Sequence, residues 1–136
     1  MDIEEARRFI AGNHRAVLAT LRADGQPQMS PVAAVVDDAG RVVVSSRETA
    51  IKVRNLRRHP RAWLCVVPDS WYGQMAQVEG PAEIVSLPEA MDGLVDYYRR
   101  ASGEHPDWDD YRGAMERERR VLIRVTVDRA GPTRSG

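Results

Sequence analysis

The period of apolar positions changes several times along the chain, and each change marks an element. Ile3, Ala6, Phe9 and Ile10 make a narrow stripe at helical spacing. With Asp2 as cap and Glu4 and Glu5 in the first turn, they predict a helix from Asp2 to about Gly12. Arg15 to Leu21 is mostly apolar and ends before Asp24-Gly25, a hairpin signal, so it reads as a strand. Gln28 to Asp37 reads as the returning strand, with Pro31 at a bulge or an unpaired position. Asp37-Asp38-Ala39-Gly40 is a second turn, and Arg41 to Ser46, built on Val42-Val43-Val44, a third strand.

Ala62 to Val67 is apolar at every position, which predicts a strand covered on both faces. Trp63, Cys65 and Val67 share one face, and Ala62, Leu64 and Val66 the other. Pro68 to Gln74 is a loop, and Met75 to Val85 a strand that bends at Gly80-Pro81. Two helices follow, from Pro88 to about Ser102 and from near Asp107 to about Glu118. Val121, Ile123, Val125 and Val127 alternate in a last strand, and residues 130–136 read as a flexible tail. Hairpin-linked strands with inserted helices predict a mainly β fold, a six-stranded antiparallel barrel in a single domain spanning 1–136. No internal repeat or linker suggests a second unit.

Between Val44 and Ala62 lies the segment with the most chemistry. Ser45 and Ser46 close a strand, Thr49 is placed to cap a short helix, and Pro60 ends it. The free N–H groups of a helix start beside hydroxyls form an anion site. Lys52 is the only lysine in the chain. It falls in the first turn, where the helix dipole disfavours a cation unless an anion lies in front of it. Arg54, Arg57 and Arg58 share an arc of this helix, with Lys52 on another arc closer to Asn55.

Charge narrows the classes of partner. The formal net charge is zero, so no global field draws the chain to nucleic acid or membrane. No apolar run reaches membrane-spanning length, and the acidic N-terminus is unlike a signal peptide, so the expected location is cytoplasmic. One cysteine, Cys65, excludes an intrachain disulfide and reads as a buried, inert thiol. His14, His59 and His105 lack paired metal spacing, and Arg112 stands where a calcium loop beginning at Asp107 would need glycine; no metal is expected. No nucleophile-elbow, Walker or dinucleotide-binding motif is present.

The order and spacing of four segments carry a resemblance. They are Val17-Leu18-Ala19-Thr20-Leu21 with Asp24-Gly25-Gln26-Pro27-Gln28, Lys52 to Arg61, Val78-Glu79-Gly80-Pro81-Ala82-Glu83, and Ser102 to Arg112. Together they resemble the split-barrel proteins related to pyridoxamine-phosphate oxidase, specifically the actinobacterial oxidoreductases that use the deazaflavin coenzyme F420. The resemblance implies a split barrel and a homodimer with two cofactor sites at the subunit interface. It implies phosphate contacts from Ser45, Ser46 and Lys52, and a ring lying near Gln28, Met29, Ser30, Pro31 and Val32. Trp71, Tyr72, Gly73, Gln74 and Met75 would approach from the other subunit. The implied reaction is hydride transfer from reduced deazaflavin to an electron-poor small molecule.

No side-chain acid stands out as a proton source, so catalytic residues are unassigned and Tyr72 is the one nearby candidate. Arg54, Arg57, Arg58 and Arg61 suit the acidic oligoglutamate tail of F420, with Asn55 beside them. FMN, which ends at its phosphate, is the alternative cofactor for the same fold. A flavin or F420 carrier without turnover is a third reading.

Overall fold

A computed structural model describes residues 1–132. Helix α1 spans Ile3–Gly12, and the Asp2 carboxylate caps it by accepting from the Glu5 N–H at 2.8 Å. Strands β1 (Arg15–Leu21) and β2 (Pro27–Ala33) form the hairpin, with Val17 opposite Pro31. Pro31 is tolerated because β2 lies at the edge of the sheet. The expected single strand to Asp37 is interrupted at Ala34, whose N–H turns to the His14 carbonyl. The chain resumes as β3 (Val35–Val36), which pairs with β4 (Val42–Arg47).

Helix α2 follows at Ile51–Arg58, then β5 (Arg61–Val67) and β6 (Ala76–Val85). Helices α3 (Met91–Ser102) and α4 (Trp108–Arg117) precede β7 (Arg120–Val125) and the short β8 (Arg129–Gly131). Neighbouring strands run in the order β2-β1-β5-β6-β7-β4-β3, with β8 on β6. Every pairing is antiparallel, and the sheet curls into a half-barrel. The described residues therefore form eight strands where six were expected. The break at Ala34 divides one, and β8 forms inside the segment read as a flexible tail, where Ala130 pairs with Val78. Residues 133–136 of that tail lie outside the described residues.

The bend expected at Gly80-Pro81 is where β6 changes partners. Residues up to Pro81 pair with β5, and those from Ala82 pair with β7. A Cβ on Gly80 would lie 1.8 Å from the Thr126 carbonyl oxygen, so only glycine admits the crossing chain. That crossing also ends β7 at Val125, before the expected Val127. Helix α3 starts at Met91 rather than Pro88, because Ser86 to Ala90 fold into a turn closed by the Ala90 N–H on the Ser86 carbonyl.

Two cores result. Inside the curl, Leu18, Val44, Leu64, Val66, Val78 and Ile123 are buried against Ile10 of α1 and Leu56 of α2. Outside β4 and β7, Val43 and Leu122 meet Leu94, Val95, Tyr111 and Met115 of α3 and α4. Strands β4 and β7 are thus covered on both faces. Strands β1, β2 and β5 are covered only within. Ala62, Leu64 and Val66 are buried, while Trp63, Cys65 and Val67 stay half-exposed. Cys65 is therefore on the outer face, not in the core, because the helices that could cover it pack on the other half of the sheet.

Candidate functional site

Alternation along β4 sorts the two serines. Val42, Val44 and Ser46 face the barrel interior, whereas Val43, Ser45 and Arg47 face outward. Ser46 is buried and its hydroxyl donates to the Arg47 carbonyl at 3.1 Å. Ser45, half-buried, is the one whose side chain shares a face with Arg120, which opens β7 opposite Arg47.

The turn after β4 is closed by the Ala50 N–H on the Arg47 carbonyl at 3.1 Å. This leaves Thr49 one residue early, so α2 begins on Ala50 with no side-chain cap, and the Thr49 capping role is not observed. The first N–H groups of α2 receive no side-chain oxygen. Lys52 in that turn is half-buried and makes no ion pair among the described residues. Burial, and then the neighbouring Arg120 guanidinium, push its ammonium below the usual lysine range. Two cations converge here, and no carboxylate pairs with Lys52. An anion of phosphate size satisfies that arrangement better than any group of the chain.

The basic helix is less open than its sequence. Asn55 is buried, donates to Thr20 Oγ1 at 3.1 Å and accepts from Arg58, which also reaches the Leu21 carbonyl. Asn55 and Arg58 therefore pin α2 onto β1. Arg57 pairs with Glu48 at 2.6 Å. Arg61 pairs with Glu79 at 2.9 Å and Asp128 at 2.8 Å. Arg54 is exposed and forms no ion pair among the described residues.

Strand β2 divides in the same alternating way. Met29 and Pro31 face outward, and Met29 is 64% exposed. Gln28, Ser30 and Val32 face in, and Ser30 Oγ is the one buried side-chain polar atom without a partner among the described residues. Among the described residues no strand pairs with the outer edge of β2, and apart from the Met29 and Ala33 carbonyls, which accept from Gln28 and Tyr97, that edge can meet a ring edge. An orphaned hydroxyl, an open strand edge and an unpaired lysine together fit a flat, phosphate-bearing cofactor.

The loop Trp71 to Met75 does not join this cluster within one chain. It follows β5 at the Arg15 end of β1, whereas α2 is anchored at Thr20 and Leu21, the other end, about 20 Å along the strand. Trp71 and Tyr72 are highly exposed, Tyr72 at 87%, and Trp71 holds a left-handed φ of 73°.

Two residues escaped the sequence reading. Arg120 lies between the expected end of the last helix near Glu118 and the expected last strand from Val121. Tyr97 lies within α3. Its hydroxyl donates to the Ala33 carbonyl at 2.7 Å, tying α3 to the end of β2. Burial pushes that hydroxyl up, with the Ser45 backbone amide and Arg120 pulling the other way. Only the two-faced burial of β4 and β7, invisible in single-residue patterns, brings Tyr97, Ser45, Arg120 and Lys52 near one another.

Comparison with known proteins places this geometry in context. A family model described as pyridoxamine 5'-phosphate oxidase matches residues 3–133. The conserved hypothetical protein Rv2991 from Mycobacterium tuberculosis is 27% identical, with a TM-score of 0.77 over 100% of this chain and 92% of that one. An F420 reductase is 22% identical, with a TM-score of 0.69 over 92% of this chain and 94% of its own. A pyridoxamine 5'-phosphate oxidase-related, FMN binding protein from Nostoc punctiforme is 13% identical, with a TM-score of 0.63 over 94% of this chain and 78% of its own. The last two likenesses are of fold.

Proposed function

The chain belongs to the pyridoxamine 5'-phosphate oxidase family, and from that premise we propose that it is an F420-dependent reductase. The observation that carries the reading is Lys52: half-buried, lowered in pKa by burial and Arg120, and without an ion-pair partner among the described residues. In this reading Lys52, Ser45 and the first N–H groups of α2 hold the cofactor phosphate, with Arg120, paired to Glu118, behind them. Ser46, facing inward, shapes the turn rather than meeting the anion. The open edge of β2 from Gln28 to Val32 offers backbone groups to the ring. When bound, the deazaflavin supplies a hydride to an electron-poor double bond. The chain orients the ring, excludes water and presents the substrate.

A homodimer is part of the proposal. On the outer face of β2, β1 and β5, Met29, Ala19 and Trp63 lie in one cross-strand row, and Pro31, Val17 and Cys65 in the next. A second copy docked there would remove this apolar strip from water and bring its Trp71-Tyr72 loop toward the first copy's site. The proton would come from solvent. Tyr72 is too exposed to hold one in place in a single chain, and the Tyr97 hydroxyl is already committed to Ala33.

A second reading rests on the ion pairs. Arg57 and Arg61 are bound to carboxylates of the chain and Arg58 is hydrogen-bonded to Leu21 and Asn55, which leaves Arg54 as the helix arginine most available to an acidic tail. FMN, which has no such tail, needs none of them. Titrating the protein with each cofactor across ionic strength separates the two. The F420 reading predicts tighter F420 binding at low salt and a gap that narrows as salt screens the tail. Tighter FMN binding at every salt concentration would replace it with the FMN reading, and failure of both to bind would remove the cofactor site.

A further inference from the structure

A groove of about 720 Å³ opens on the α4 side of Arg120, between the turn after β6, the start of α3 and the end of α4. Its volume suits a small organic ligand. The floor is apolar: Leu87, Pro88 and Met91. The walls carry Arg112, Arg119 and Arg120 against Glu48 and Glu116.

The pairing of these charges decides what the groove prefers. Glu48 is neutralised by Arg57 at 2.6 Å, and Arg120 by Glu118 at 2.8 Å. Arg112 has only Asp92, 3.9 Å away and almost fully exposed. Arg119 makes no ion pair among the described residues. Among the described residues, Glu116 makes no ion pair, and it stands against Arg119, also without one, and Arg112, whose one pair is the long, solvent-exposed contact to Asp92. The wall therefore has a surplus positive charge above an apolar floor.

Arg119 carries a second sign. It holds φ at 53°, the left-handed region that favours glycine, just after the C-cap of α4. Its backbone is fixed there by its N–H on the Glu116 carbonyl and by the Glu48 N–H on its own carbonyl. A glycine would relieve the strain, and an arginine at such a position points to a use for its side chain.

We infer that this groove binds a small amphipathic carboxylate, its apolar body on Leu87, Pro88 and Met91 and its carboxylate between Arg112 and Arg119. Its three apolar residues lie outside the proposed cofactor site, Arg120 borders both, and the FMN arm of the titration below keeps the two apart.

Calorimetric titration of the full chain with decanoate tests it, with decyltrimethylammonium as the same chain of opposite charge and diglutamate as an acidic ligand without an apolar body. Saturable decanoate binding is expected, with neither control matching it. Arg119→Gly suits the local φ and preserves the turn, so it should keep the thermal midpoint while weakening decanoate about tenfold. Met91→Glu, which places a carboxylate on the floor, should abolish binding. Repeating the titration on FMN-saturated protein should leave the affinity unchanged. The inference is overturned if decanoate does not bind, if either control binds as tightly, if a folded Arg119→Gly binds normally, or if FMN displaces decanoate.

Discussion

Lys52 and Arg61 are both cations in or beside the same basic segment, and the chain treats them in opposite ways. Arg61 is held by two carboxylates, Glu79 and Asp128, whose hydrogen bonds and charge raise its pKa further. Lys52 is half-buried with no carboxylate partner among the described residues, and burial with Arg120 lowers its pKa. A paired cation on a strand fastens the structure, here β5 to β6 and to the chain crossing at Asp128. A desolvated cation left unpaired is unfavourable for the free protein and favourable for a ligand. The sequence shows both as basic residues of one run, and only their partners separate them.

The largest expected effect comes from removing the open cation. Lys52→Ala should weaken FMN or F420 by roughly ten- to a hundredfold, the worth of one charged contact of about 1.5–3 kcal/mol. The same replacement should leave the cofactor-free protein as stable or slightly more so, by under about 1 kcal/mol once solvent screening is counted. The pH dependence has a definite sign. Because the folded-state pKa of Lys52 is lowered, the unfolded chain holds that proton more tightly. The penalty is full below the folded-state pKa, and stability rises as pH climbs through it. Lys52→Ala should flatten that rise in thermal melts across alkaline pH.

Arg61→Ala should do the reverse: lower the melting temperature while leaving cofactor affinity within about twofold. Its partner Asp128 has a lowered pKa, so the contribution of this pair is present above the ordinary aspartate range and fades as pH falls through the folded-state value. Melts of wild type and Arg61→Ala should therefore converge in acid. An equal loss of cofactor affinity in Arg61→Ala and Lys52→Ala would erase the distinction between them.

Smaller effects belong to the helix arginines. Exposed charges contribute under about 1 kcal/mol each, so Arg54→Ala should weaken F420 by a few-fold at low salt and FMN hardly at all. Arg57→Ala should have the lesser effect on F420, since Arg57 already pairs with Glu48. Titrations of the two variants at two salt concentrations check the order.

Much of the fold was legible because it depends on local pattern. The bounds of β1, the Asp2 and Asp107 caps, and the alternating faces of β5 all follow from residue type and spacing. The errors arose where distant parts of the chain decide. After Ala34 the chain passes from β1 to pair with β4, and β8 forms because β6 offers a free edge next to Gly80. The site was legible as a place, around Ser45 and Lys52, but not in its partition. Alternation turns Ser46 and Ser30 inward, and burial commits Asn55 to Thr20. Arg120 and Tyr97 arrive from β7 and α3, far away in sequence, and no local signal announced them.

The central claim is that Lys52 is an unpaired, desolvated cation waiting for a phosphate. Its being the only lysine makes it directly observable. Dimethylation with carbon-13 keeps the charge and gives two resonances, one from Lys52 and one from the N-terminal amine. Titrating the Lys52 resonance against pH, without and with bound cofactor, should show a midpoint below the ordinary lysine value of about 10.4 that rises when the phosphate is in place. A midpoint at the ordinary value that the cofactor does not move would contradict the account.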